Sequence, residues 1–124
     1  MSEVDRGNRR KATALFKLGV KASSSGIHRT LSRAPKGTGW VQCVNSPVGV
    51  MCRPDKIHES IAHFTKAYQT FPDIVAVNQI ALAHEMLGEF EAARHHFTRM
   101  HEQALAENIP AYVQAAQLGL TRLK

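Results

Sequence analysis

Ser60-Ile61-Ala62-His63-Phe64-Thr65-Lys66-Ala67 and, 33 residues further on, Ala93-Arg94-His95-His96-Phe97-Thr98-Arg99-Met100 are two versions of one text. Phe64 falls on Phe97, Thr65 on Thr98 and Lys66 on Arg99. A second overlay, at an offset of 38, sets Ile80-Ala81-Leu82 on Leu118-Gly119-Leu120. Self-similarity at such intervals, alternating between two kinds of helical segment, is the spacing of a solenoid built from helix–turn–helix units.

Working outward, the pattern predicts four helices. Residues 57–70 place Ile57, Ile61, Phe64 and Tyr68 on one face, and Phe71-Pro72-Asp73 ends the run, because proline cannot continue a helix. Residues 74–87 align Val77, Ile80, Ala81, His84 and Leu87 and stop at Gly88, suited to a left-handed cap. Residues 89–107 align Phe90, Ala93, Phe97, Met100 and Ala104, and Asn108-Ile109-Pro110 breaks them. Residues 110–123 align Val113, Ala116, Leu120 and Leu123, with Pro110 placed for a first helical turn. Such short connections force antiparallel neighbours.

Ile80-Ala81, His84, Gly88, Phe90, Ala93 and Phe97 stand at the intervals of the tetratricopeptide-repeat pattern, which residues 57–124 therefore resemble. Ile57, Phe64, Ala67 and Pro72 look like the second helix and closing proline of an earlier repeat, and Leu118-Gly119 like the opening pair of a later one. The match departs from the pattern at His84, where the family usually has tyrosine, and at Met100, where it usually has a small residue. The resemblance implies an all-α, short solenoid of antiparallel hairpins that acts as a protein-binding scaffold or adaptor. It also implies a groove formed by the first helix of each hairpin. The exposed candidates there are Asn78, Gln79, Leu82, Glu85 and Met86, with Gln114 and Gln117 from the last helix. Leu82 and Glu85 stand where chaperone-tail-binding members carry clamp cations, which argues against that ligand.

Residues 1–56 differ in kind. They hold eleven Lys/Arg against three Asp/Glu, a balance of +8, whereas residues 57–124 hold five against seven, a balance of −2. A charge step of this kind separates a basic segment from a folded body. Residues 8–21 carry Ala12, Leu15, Phe16 and Gly19 at helical spacing and predict one short helix. Ser23-Ser24-Ser25-Gly26, Pro35-Lys36-Gly37-Thr38-Gly39 and Ser46-Pro47-Val48-Gly49 punctuate residues 22–56, which read as mostly irregular and outside the core. No helix is evident there to pair with residues 57–70, so stability is expected to be marginal unless residues 8–21 cover that edge or the chain self-associates. The chain also reads as a shortened form of a longer repeat protein.

Composition bounds the function. Apolar residues make up 44% and aromatics 6%, so the core is expected to rest on Ala, Leu, Ile and Val. Cys43 and Cys52 form neither a CxxC pair nor a disulfide framework; one bridge between them is conceivable, but they read better as two reduced thiols in a cytoplasmic protein. Met1-Ser2-Glu3-Val4-Asp5 is polar, unlike a secretory signal. No nucleophile elbow, phosphate loop or HExxH motif occurs, so neither enzymatic activity nor a small-molecule substrate or cofactor is expected. His95, His96 and His101 lack the spacing that aligns two metal ligands on a helix face, so no metal is expected. The partner is expected to be a protein, with self-association through the open repeat edge as a further mode. The alternative is electrostatic docking of the basic segment on nucleic acid or an acidic membrane. Arg29-Thr30-Leu31-Ser32 adds a nonspecific phosphorylation pattern.

Overall fold

The structure is a computed structural model that describes residues 2–29 and 39–124. The turn cluster at 35–39 and the Arg29-Thr30-Leu31-Ser32 pattern fall largely outside the described residues. The chain is mostly helical, with five α-helices and one small sheet among the described residues. Their order is α1 (Glu3–Ser25), β1 (Ile27–Arg29), β2 (Val41–Gln42), β3 (Val50–Cys52), α2 (Pro54–Thr70), α3 (Ile74–Met86), α4 (Phe90–Glu107) and α5 (Pro110–Arg122). Among the described residues no helix is long and apolar enough to cross a membrane.

The last four helices start and stop where the chain chemistry places them. Pro54 and Pro110 occupy first-turn positions in α2 and α5, where a missing N–H costs nothing. Asp73 caps α3, its carboxylate accepting from the Val75 N–H at 2.9 Å. Gly88, at φ +76°, and Asn108, at φ 54°, turn the chain left-handed after α3 and α4. The core of this half is built on Val77, Ala81, Phe97, Met100 and Ala116, all nearly or wholly buried. Met100 is fully buried, so a flexible thioether fills the space the repeat pattern gives to a smaller side chain.

The first helix is longer than residues 8–21 and is part of this stack. Ser2 caps it, accepting from the Asp5 N–H at 3.1 Å, and Glu3 and Asp5 complement its N-terminal dipole. It runs antiparallel to α2 and buries Ala12, Gly19 and Ala22 against it. These small residues let the two backbones approach closely. A Cβ on Gly19 would stand 2.6 Å from the Phe64 ring. Phe16 completes the seat, its ring centroid 5.0 Å from that of Phe64. The partner helix that residues 57–70 lacked in the sequence is therefore α1, and α1 covers that edge.

Residues 22–56 also depart from the irregular reading. β1, β3 and β2 form a three-stranded antiparallel sheet in that order, with Ile27 opposite Cys52 and Val41 opposite Cys52 on its two sides. Cys43 and Cys52 are joined as a disulfide, with Cα atoms 5.2 Å apart, and are not free thiols. The hairpin between them makes that possible: the Cys43 N–H donates to the Val50 carbonyl, folding a nine-residue separation back on itself. The insert is anchored at the C-terminal end of α3, where the Val44 N–H donates to the Met86 carbonyl at 2.8 Å. Its bridge packs with Ile57 and Ala83 in a second buried cluster.

Candidate binding surface

A cavity of about 220 Å³ lies between α1, the end of α2 and the start of α3. Local sequence explains it. Phe71 leaves the helix in an extended conformation at φ −150°, Pro72 prevents continuation, and Asp73 restarts the chain as α3. That turn sets the Phe71 ring beside α1, where the Arg9 guanidinium lies 5.9 Å from the ring centroid. Phe16, Ala12, Val75 and Ala76 supply apolar wall, and Asp73 also lines the cavity. A shallower depression adjoins it, lined by Arg6, Arg9, Arg10 and Thr13. Arg9 and Thr13 belong to both, so a basic shelf and an apolar slot are contiguous. The Thr13 hydroxyl donates to the Arg9 carbonyl at 2.8 Å.

The residues singled out by sequence do not form one groove. Asn78 and Gln79 are half-buried on α3, one turn beyond the Val75 and Ala76 of the slot. Leu82 packs against the main core, and Met86 against the disulfide cluster. Glu85 is not exposed: its side chain is 5% accessible and is held by Arg122, whose Nε and Nη2 donate to its two oxygens at 2.9 and 2.8 Å. Asn45 of the insert donates to the same carboxylate at 3.3 Å. The hydrogen bonds from Arg122 hold the Glu85 carboxyl below its ordinary value, against the opposing effect of burial. Glu85 thus joins the insert, α3 and α5, and is a structural ion pair. Gln114 and Gln117 are exposed in a separate depression between α4 and α5, beside Leu105, Ile109 and Val113.

Histidines gather where α2, α3 and α4 meet. His58 and His84 donate to the two oxygens of Glu89, at 2.9 and 2.8 Å. Burial raises the Glu89 carboxyl, but these two hydrogen bonds outweigh it and the net shift is downward. The His84 ring stacks on His96, centroids 5.4 Å apart. Burial first, then the neighbouring His84, His95 and Arg99, push His96 down to about 4. Its Nδ1 atom is buried without a hydrogen-bond partner. Among the described residues no group of three or more His, Cys, Asp or Glu is disposed to hold a metal ion.

The depressed His96 has a pH signature. Its proton is refused in the folded state and accepted in the unfolded chain, so its contribution is complete above about 6.5 and is lost as pH falls towards about 4. Thermal melts from pH 7 to 4 are expected to show that loss, and His96→Leu to flatten it. The two glutamates act in the same direction but only at the acid end, below their ordinary value of 4.5. An unchanged pH profile in His96→Leu would show that other groups set the acid limb.

Arg9, Thr13, Phe16 and Phe71 were not among the sequence candidates, because α1 read as a separate tail. The signal was the spacing Arg6, Arg9/Arg10, Thr13, which sets one polar face along a helix whose other face carries Ala12 and Gly19. No protein-family model, curated protein or solved structure matches the chain.

Proposed function

We propose that this chain is a non-enzymatic protein-interaction module of tetratricopeptide type, an adaptor that takes up a partner segment on the side formed by α1 and α3. The observation that carries the reading is the repeated seating of Phe64 and Phe97. Each buried ring lies against a glycine of a neighbouring helix, Gly19 for Phe64 and Gly119 for Phe97, at closely matching distances. The glycine stands on the preceding helix for Phe64 and on the following helix for Phe97, and two overlaying phenylalanines 33 residues apart, each seated on an adjacent helix, fit stacked hairpins. In that scheme α1/α2 and α3/α4 are hairpins and α5 is the first half of a third. The slot between α1 and α3 then lies between the first helices of successive hairpins, where such a scaffold offers side chains to a partner. The Cys43–Cys52 bridge favours an oxidising compartment over the cytoplasm expected from two free thiols.

Electrostatic docking on nucleic acid or an acidic membrane remains the competing reading, carried by the six Lys/Arg of α1. Selection of a random displayed peptide library on the full chain tests both. Peptides are expected to emerge, to be released by Val75→Arg or Gln79→Arg, and to survive Leu105→Ser in the α4–α5 depression. An empty selection, or binders displaced by anionic oligonucleotide or vesicles and indifferent to the α3 substitutions, would count against the adaptor.

A further inference from the structure

We propose that two copies of this chain pair through the outer face of α5, antiparallel about a two-fold axis. The inference goes beyond the peptide-binding reading and uses none of the residues on the α1–α3 side.

The packing leaves this face over. α1 closes the edge at α2, and α3 is packed against both α2 and α4, burying Ala76, Val77, Ile80 and Ala81. α5 is covered on one side only. Ala116 joins the main core and Gly119 meets Phe97 of α4, whereas Ala111, Gln114, Gln117, Leu118 and Thr121 are exposed. Leu118 is 55% accessible, and Leu105, at 58%, lines the depression beside α5.

Charge points to the occupant. Residues 108–121 hold no Asp, Glu, Lys, Arg or His, in a chain of net charge +6 in which 21% of residues are charged. The other exposed helix faces differ: Arg10, Lys17 and Lys21 stand out from α1, and Arg94, Arg99 and Glu102 from α4. Two copies of a basic chain repel in most orientations, but across α5 they meet without desolvating like charges. A partner recognised by its own charge finds no counter-ion there.

The face is also complementary to itself. Leu118 and Ala111 lie two turns apart on one side of the helix, so setting Leu118 over Ala111 of the second copy makes the same large-on-small contact twice. The midpoint of that register falls beside Gln114, whose side-chain amide both donates and accepts and so can pair with its symmetry mate. The ends fix the direction. A parallel pair would bring Glu107 to Glu107 and Arg122 to Arg122, whereas the antiparallel register sets Glu107 towards Arg122 of the second copy. α5 has 13 residues and is therefore about 20 Å long. A contact of that length is small, and a dissociation constant on the order of tens of micromolar is expected.

Sedimentation velocity on the full chain, from about 1 to 300 µM, tests this. The weight-average mass is expected to climb from 13.7 kDa towards twice that value and no further. Leu118→Glu, which places two carboxylates in the contact, is expected to weaken association about tenfold or more. Leu105→Ser is expected to weaken it by less, and Leu18→Glu, an exposed position on α1, to leave it within about twofold. Adding Ala111→Lys to Leu118→Glu is expected to recover part of the loss, because the register then forms two ion pairs. Circular dichroism checks that each variant keeps its helix content. A mass of 13.7 kDa at every concentration overturns the proposal, and a monomer that still takes up displayed peptides leaves the adaptor reading standing. A dimer indifferent to Leu118→Glu and Leu105→Ser overturns the assigned face. Growth beyond two copies shows an open head-to-tail contact, and a double variant no better than Leu118→Glu rules out the antiparallel register. Displayed peptides released by Leu118→Glu from a monomeric chain would assign the face to a foreign partner and sink the idea.

Discussion

Phe97→Ala is expected to cost about 3–5 kcal/mol of folding stability, the range for truncating a large buried aromatic. The ring is 1% accessible and lies between α4 and α5. Its neighbour across the interface is Gly119, where a Cβ would stand 2.6 Å from the ring. That glycine explains why the upper part of the range applies. A cavity can shrink when surrounding side chains move into it, and Gly119 has none to contribute. Arg122, whose guanidinium lies 5.8 Å from the ring centroid, would lose its aromatic neighbour as well. Urea titration followed by circular dichroism measures the loss, and a cost below about 2 kcal/mol would show that the α4–α5 interface collapses readily. Filling the gap from the other side with Gly119→Leu in the alanine background is expected to recover part of the loss.

The second large effect is asymmetric. Arg122→Ala is expected to cost about 3 kcal/mol, because it leaves the Glu85 carboxylate buried with Asn45 as its remaining partner. Glu85→Ala is expected to cost clearly less, since the freed Arg122 side chain is 43% accessible and can hydrate. Acid separates the two variants further. In the intact protein Glu85 is held below its ordinary 4.5, so its contribution is present above that value and fades as pH falls through the lower folded one. Without Arg122 the carboxyl takes up its proton sooner, and the gap between Arg122→Ala and the parent should narrow as pH drops. Equal costs for the two substitutions at neutral pH would show that the pair matters through packing and not through charge burial.

The two halves of the molecule differed in how far their residues announced the structure. Helices α2 to α5 are punctuated by Pro54, Pro72, Gly88 and Pro110, all of them local signals, and their bounds follow the predicted ones closely. Helix α1 was only partly visible because its contact face is made of Ala12, Gly19 and Ala22. Such residues carry little hydrophobic signal, and their value depends on Phe64, which lies far along the chain. The disulfide was hidden for a similar reason: two cysteines mean little until a hairpin places them side by side. Glu85 looked like a groove residue by helical position, but its partners stand 37 and 40 residues away. The arginine shelf could be read as a spacing on one helix, whereas the slot beside it needed three helices to exist.

The placement of the insert has a consequence for the order of assembly. Helices α2 to α5 meet their sequence neighbours across turns of two or three residues, while α1 must find α2 across residues 26–53. Closing that longer loop costs more entropy before any contact offsets it, so hairpins α3/α4 and α4/α5 are expected to form early and α1 to dock late. By the same reasoning α1 is the element most readily released from the native state. It also carries Arg6, Arg9 and Arg10 and one wall of the slot. A ligand spanning α1 and α3 would therefore fasten the last-joined helix to the body, and mass action would turn binding into protection of the whole N-terminal third of the chain.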